Sequence, residues 1–305
     1  MHAVFLDQQT FRSSISLAKI EQQLDSLTCF ATTSAEQITA RSLDAQIIIT
    51  NKVVLSADKL EQLPQLKLIC ITATGTNNVD LLAAKKLGIA VCNVSGYSTP
   101  SVSQYVFAQM LEYYSQTTHH NQNCVADIWQ QSPTFCYHGN GFSELSGKTL
   151  GIVGYGNLGQ AVAQIGQAFG MQVMIAERPN AASIRADRLS FEQVLAESDV
   201  LTLHCPQTPD TENLINSQTL AKMKSTAMLI NTARGPIVNS CDLLNALNNQ
   251  QIAYAALDVL EREPPPADHV LLKAISATAT KPLNNLKITA HIAWGVSNHS
   301  NDYSI

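Results

Sequence analysis

The sequence predicts an α/β protein of two domains, each a parallel sheet covered by helices. Three observations predict this. Short apolar or β-branched runs alternate with helical patterns along most of the chain, and strands separated by helices imply parallel sheets buried on both faces. The alternation runs through twice, with a turn-rich junction at Gly96–Pro100 between the two series. The chain has 305 residues and 45% hydrophobic content, enough for two cores of ordinary size. The hinge is placed near 96–101, with residues 1–97 and the tail 292–305 in a smaller domain and 98–291 in a larger one.

In the first series Ala3–Leu6 reads as a short strand and Ser14–Leu24 as a helix. Ala45–Thr50 is a β-branched run with the character of a buried strand. Ser56–Leu63 reads as a short helix, Leu68–Thr72 as a strand, Val79–Leu87 as a helix and Ala90–Val94 as a further strand. Ligands of such sheets bind beyond the strands' carboxyl ends. Asn51–Val53 and the loop Thr74–Thr76 are therefore the places in this half to expect substrate contacts. A helix follows from about Ser101 to Thr118, with Pro100 suited to its first turn. Residues 121–144 read as irregular, and the aromatics Trp129, Phe135, Tyr137 and Phe142 suggest either a surface loop packed by its own aromatics or a dimer contact.

The stretch from Thr149 to Glu177 dominates the second series. Leu150–Val153 has strand character, and Gly154, Gly156 and Gly159 then form Gly-x-Gly-x-x-Gly. Leu158, Val162, Ile165 and Phe169 follow at helical spacing, and a second strand, Val173–Ala176, ends on Glu177. Gly154 permits the tight turn, Gly156 lets a pyrophosphate approach the backbone, and Gly159 lets helix and strand pack closely. The helix N-terminus offers free N–H groups and a positive dipole end to phosphates. Glycines alone are a weak signal, but strand, helix and acid around them specify a doubly wound Rossmann domain that binds NAD. A carboxylate at Glu177 suits the ribose hydroxyls and repels the 2′-phosphate of NADP, although Arg178 beside it argues the other way. The remaining elements are a helix near Phe191–Glu197, the strand Val200–His204, a helix near Ser217–Met223, the strand Ala227–Asn231, the helix Cys241–Leu247, the strand Ala253–Val259 and a last strand Ile288–Ala290 leading to His291.

Composition excludes several classes. Charged residues make up only 14%, the formal net charge is −5, and there is no basic cluster, so nucleic acid is not an expected partner. The apolar runs are strand-sized, too short to span a membrane. The N-terminus lacks the basic and apolar regions of a signal peptide. Seven cysteines without a Cys-x-x-Cys pair point to a reducing cytoplasm, and no spacing suggests a metal site.

An NAD domain implies hydride transfer, so a proton donor and a substrate anchor are sought at strand ends. Arg234, Glu263 and His291 all follow strands of the second series. A histidine is the natural proton donor near neutral pH. A carboxylate beside it orients the ring and favours the protonated form. An arginine fork suits a substrate carboxylate, and Asp258 could bind the nicotinamide carboxamide. Singly, each has a plainer reading: a strand-end cap, a loop acid, a structural histidine. His204 is a rival donor, better placed as a residue on the cofactor side.

Seven segments then show a resemblance: 72–80 (Thr-Ala-Thr-Gly-Thr-Asn-Asn-Val-Asp), 93–99 (Asn-Val-Ser-Gly-Tyr-Ser-Thr), the glycine loop, 203–206 (Leu-His-Cys-Pro), 231–235 (Asn-Thr-Ala-Arg-Gly), 257–264 (Leu-Asp-Val-Leu-Glu-Arg-Glu-Pro) and 291–294 (His-Ile-Ala-Trp). The sequence resembles the D-2-hydroxyacid dehydrogenase family, and within it the hydroxypyruvate reductase (glycerate dehydrogenase) branch. The resemblance implies a smaller flavodoxin-like substrate domain beside the Rossmann domain, Arg234 as carboxylate binder, Glu263 as partner of the histidine and His291 as acid/base. It implies that Thr74 and Gly75, with Asn51 nearby, face the substrate. Asn157, Leu158, Glu177, His204, Cys205, Pro206, Thr232, Ala233 and Asp258 would line NAD. It also implies a homodimer in which Trp129 reaches the neighbouring subunit's site.

The implied reaction is reduction of hydroxypyruvate to D-glycerate, or of glyoxylate to glycolate. A phosphorylated substrate would want more cations than Lys52, and a glutamate at 263 disfavours formate dehydrogenase. An NAD-binding regulator without activity is the reading of another class. Three departures from the family pattern stand out. Ala290 replaces a proline, residues 274–282 resemble an insertion, and the tail after His291 is short and polar where a return helix of about 11–12 residues would be usual.

Overall fold

The computed structural model describes residues 1–11, 16–139 and 141–295. The return-helix question falls on residues 296–305, outside the described ones. The chain divides into two compact units, Met1–Tyr97 and Ser98–Gly295.

The first unit holds β1 (His2–Phe5), α1 (Ala18–Glu21), β2 (Ser26–Cys29), α2 (Ile38–Ser42), β3 (Ile47–Thr50), α3 (Ala57–Glu61), β4 (Leu68–Ile71), α4 (Leu81–Lys86) and β5 (Ala90–Asn93). All five strands are parallel, in the order β2-β1-β3-β4-β5, the flavodoxin-like winding. All four residues of β3 (Ile-Ile-Ile-Thr) are buried, as a central strand covered on both faces requires. Val4, Leu6, Ile48, Ile69 and Ile71 pack with Leu55, Leu60 and Ala84 on one face, and Phe5, Ile47 and Ile49 pack on the other. Asp80 caps α4 by accepting from the Ala83 N–H at 2.9 Å. The expected helix Ser14–Leu24 is only α1, and residues 12–15 of it lie outside the described ones. β2 and α2 were not expected. β2 is an edge strand of Ser-Leu-Thr-Cys, largely exposed, so it lacks the apolar run that marks a buried strand.

The second unit begins with α5 (Thr99–Ser115) and α6 (Thr117–Val125). The sequence pattern reads through Gln116, but there the backbone turns left-handed (φ +48°) and breaks the helix in two. Residues 121–125 are consequently helical, a correction to the irregular segment expected from Asn121 onward. Then follow β6 (Thr149–Val153), α7 (Asn157–Ala168), β7 (Gln172–Ala176), α8 (Phe191–Glu197), β8 (Val200–Leu203), α9 (Ser217–Leu220), β9 (Met228–Asn231), α10 (Ser240–Asn248), β10 (Tyr254–Leu257), α11 (Val270–Ile275) and β11 (Leu286–Ile288). The parallel sheet runs β11-β10-β9-β8-β6-β7, and an isolated parallel bridge from Ala176 to Leu189 extends it one position beyond β7. Strand order therefore reverses at β6, the point where doubly wound sheets bind dinucleotides. Two apolar clusters cover the sheet, one built around Val194, Leu201, Leu229 and Leu243, the other around Met110, Ile152, Val162 and Ile230. No helix among the described residues is long and apolar enough to cross a membrane. The fold class is the expected one, an α/β chain with two parallel sheets.

Candidate active site

The second sheet brings the predicted residues into one row. Its register pairs Val153 with Leu203, Leu203 with Asn231, Asn231 with Leu257 and Leu257 with Ile288. These are the last or next-to-last positions of five adjacent parallel strands. The glycine loop, His204, Thr232–Arg234, Asp258–Glu263 and Thr289–His291 therefore emerge side by side at one edge. Parallel strands about 4.8 Å apart gather what the sequence scatters.

At the glycine loop, Gly154 has φ +95°, and a Cβ there would lie 2.4 Å from the Cys205 backbone nitrogen. A Cβ on Gly159 would lie 2.2 Å from the Gly154 carbonyl oxygen. The fold itself demands both glycines. Gly156 differs: its φ is −83°, and a Cβ would meet nothing within 4 Å. It is the N-cap of α7, where no side chain caps the first N–H groups. Neither backbone angle nor packing asks for glycine, so the open space in front of it suits a pyrophosphate on the helix N-terminus.

Beyond β8, burial lowers the His204 imidazole to about 4 and raises the Cys205 thiol to about 11. The His204 Nε2 lies 3.0 Å from the Thr202 hydroxyl, and its Nδ1 is buried without an intrachain partner, as is the Thr232 hydroxyl. Burial favours the neutral imidazole near neutral pH, which fits the expected cofactor-side place of His204 better than a donor role. Two buried polar atoms awaiting partners beside the glycine loop fit a polar cofactor.

Beyond β9, the Asn231 side chain shapes the turn that carries Arg234. It accepts from the Ala233 N–H at 3.0 Å and donates to the Arg234 carbonyl at 2.9 Å. Arg234 Nη1 donates to the Ala233 carbonyl at 2.6 Å. A Cβ on Gly235 would fall 1.9 Å from the Leu260 carbonyl carbon and 2.4 Å from Glu261 N. The arginine turn thus lies directly on the backbone of the segment that carries Glu263.

Beyond β10 and β11, His291 Nδ1 lies 2.6 Å from Glu263 Oε2, with the side chains 21% and 35% exposed. The other Glu263 oxygen accepts from the Leu260 N–H at 3.1 Å. The expected strand Ile288–Ala290 ending at His291 is instead Leu286–Ile288. β11 stops at Ile288, and His291 sits in a turn with φ +53°. Asp258 holds that turn. Its carboxylate accepts from the Thr289 hydroxyl at 2.6 Å and from the Ile292 and Ala293 N–H groups at 2.9 Å each, and its carbonyl accepts from the His291 N–H at 2.8 Å. Asp258 is 1% exposed, and three of the roughly four acceptor positions of a carboxylate are used within the chain. In the structure its carboxylate shapes the His291 turn.

Sequence reasoning missed the supports. Tyr105 on α5 hydrogen-bonds Thr289, and burial raises its phenol to about 12. Glu261 accepts from the Ser240 N–H and pairs with His269 Nε2, both at 3.1 Å. That second Glu–His pair pins the segment bearing Glu263. Elsewhere in this unit Glu177, buried at the end of β7, is bonded by Arg185. In the first unit the Asn51 N–H donates to Asp7 at 2.9 Å. The Thr74 hydroxyl donates to the Val94 carbonyl at 2.9 Å, and Asn93 donates to the Thr74 carbonyl at 2.7 Å, tying down the loop that holds Gly75.

Comparison with known proteins identifies the family. The model of the D-isomer specific 2-hydroxyacid dehydrogenase NAD-binding domain matches residues 107–293. A Haemophilus influenzae protein named among the 2-hydroxyacid dehydrogenases is 42% identical over 96% of this chain and 91% of its own. The glycerate dehydrogenase of Methylorubrum extorquens is 37% identical over 95% and 88%. The D-lactate dehydrogenase of Aquifex aeolicus, solved with NAD and lactic acid, superposes with a TM-score of 0.76 at 28% identity, covering 97% of this chain and 90% of that one. The chain belongs to the D-isomer specific 2-hydroxyacid dehydrogenase family and is an NAD-dependent oxidoreductase.

Proposed function

We propose that this enzyme reduces hydroxypyruvate to D-glycerate, and glyoxylate to glycolate at the same site, with His291 as the proton donor. The observation that carries the reading is the 2.6 Å contact between His291 Nδ1 and Glu263, in line with the glycine loop along one sheet edge. NADH, when bound, supplies the hydride to C2 of the substrate. With Nδ1 turned to Glu263, the other ring nitrogen, Nε2, is left to give its proton to the substrate oxygen. Glu263 fixes the ring's orientation, and the Asp258-held turn fixes where the ring stands. Arg234 grips the substrate carboxylate through its fork of donors. The glycerate dehydrogenase relative, aligned along 95% of this chain, supports the choice of substrate.

The proposal includes a homodimer in the cytoplasm. Trp129, Phe135 and Phe142 are 51%, 90% and 68% exposed, an aromatic surface of the kind interfaces use, and all seven cysteines are free. Sedimentation of the purified protein checks the dimer, and a monomer at working concentration overturns it. The function is tested by NADH oxidation with hydroxypyruvate, glyoxylate and pyruvate in parallel. Hydroxypyruvate is expected to give the highest kcat/KM, and His291→Ala to lower kcat by about 10²–10⁴-fold at unchanged NADH affinity. Preference for pyruvate, or a His291→Ala variant with the parent's kcat, overturns the reading.

A further inference from the structure

We propose that Arg185 sets the dinucleotide preference of this enzyme: its guanidinium competes with the adenosine ribose of NAD for Glu177, and it is the group that receives the 2′-phosphate of NADP. The proposal rests on the reading of Glu177 as the ribose acceptor.

A carboxylate offers about four acceptor positions, and all four of Glu177's are used. Oε1 accepts from the Arg178 N–H at 2.8 Å and from Arg185 Nη2 at 2.6 Å. Oε2 accepts from Arg185 Nε at 2.7 Å and from the Arg185 N–H at 3.2 Å. The two side-chain bonds form the bidentate fork that arginine makes best. A ribose diol needs two positions on the same carboxylate. The Arg178 N–H adjoins Glu177 in the chain and cannot leave. The Arg185 fork can: its side chain is 50% exposed, whereas that of Glu177 is 5% exposed. Rotation about the arginine side chain frees both oxygens without moving the strand end.

The fork does not go far when displaced. The segment from Arg178 to Arg188 is closed at its base, where the Glu177 N–H donates to the Leu189 carbonyl at 2.8 Å and the Leu189 N–H to the Ile175 carbonyl at 2.9 Å. The same segment reaches the glycine loop, where the Arg188 guanidinium lies 5.0 Å from the ring centre of Tyr155. A lone carboxylate at the strand end would repel a 2′-phosphate. The Glu177–Arg185 pair is neutral, and its positive member is the exposed one. A phosphate monoester can take the same fork that Glu177 holds, with Arg178 adjacent in sequence. Arg185 therefore weakens NADH binding and permits NADPH binding, which explains how an acid at 177 and a cluster of arginines at 178, 185 and 188 serve one subsite.

The test is the dissociation constant of NADH and of NADPH, each by nicotinamide fluorescence, for the full chain and for Arg185→Ala, Arg185→Lys and Glu177→Ala. Arg185→Ala is expected to tighten NADH by about fivefold, the scale of a half-exposed ion pair, and to weaken NADPH by about tenfold. Arg185→Lys, which lacks the fork, should fall between. Weaker NADH binding in Arg185→Ala, or no change with either dinucleotide, overturns the proposal while leaving Glu177 as the ribose acceptor. Unchanged NADH affinity in Glu177→Ala overturns the underlying reading and the proposal with it. Melting curves of the variants report that each is folded.

Discussion

The two parallel sheets treat the backbone at their carboxyl ends in opposite ways. In the first unit the N–H groups after β3 are turned inward onto the chain's own acid. Asp7, 4% exposed, accepts from Asn51 N at 2.9 Å, Lys52 N at 2.6 Å and Val53 N at 3.3 Å, and from the Thr50 hydroxyl at 3.3 Å. In the second unit the N–H groups after β6 open onto the space in front of Gly156. Both are anion sites made from consecutive backbone donors. One is filled by a side chain and serves the fold, and the other is kept for a ligand and serves chemistry. Similar winding thus does not imply similar use, and the occupant of the donor cluster tells the two apart.

The contrast can be broken from either side. The largest effect is expected at the reacting edge: His291→Ala should lower kcat by about 10²–10⁴-fold with an unchanged denaturant midpoint, as steady-state kinetics and urea titration would report. Asp7→Ala should do the reverse. Stranding buried N–H groups costs on the order of 3 kcal/mol of stability, readable in urea unfolding, while NADH affinity stays as in the parent. If Asp7→Ala abolished NADH binding instead, the division of roles would be wrong.

A smaller effect follows from His204. Its folded-state pKa, about 4, lies below the ordinary 6.5, so the native state takes up its proton later than the unfolded chain does. Its stabilising effect is complete above pH 6.5 and is lost as pH falls from 6.5 to 4, by on the order of 3 kcal/mol. His204→Asn should flatten the stability profile across that window, and a parallel pair of profiles would count against the burial argument. The smallest effect separates the glycines. Gly156→Ala should leave the melting temperature unchanged and weaken NADH by about tenfold. Gly154→Ala, with its clash against Cys205, should lower the melting temperature as well.

What could be read from the sequence has a physical pattern. Strands such as Ile47–Thr50 and Met228–Asn231 are continuous apolar runs because both faces are covered, and they are visible without a structure. Gly154, Arg234, Glu263 and His291 stand out because their residue types are tied to a specific chemistry. β2 was invisible because it is exposed, and the break at Gln116 because no local signal marks a left-handed glutamine. The supports were invisible for a different reason: they join distant parts of the chain. Tyr105 and Thr289 lie 184 positions apart, Asp7 and Asn51 44, and Asp258 and Thr289 31. Asp258 shows the limit most clearly. Its place after a strand marks it as a candidate for the nicotinamide carboxamide, but only the three-dimensional turn reveals that its carboxylate is bonded to the segment bearing His291.

The polarity of β11 has a practical consequence. Residues 274–282 enter the sheet ahead of Leu286, at the amino end of the strand whose other end leads to His291. Thr278, Lys281 and Pro282 are exposed. A peptide tag, a surface-coupling residue or a reporter domain grafted there would be separated from the reacting edge by the length of a strand. It would give a handle for immobilising or labelling the enzyme while it turns over.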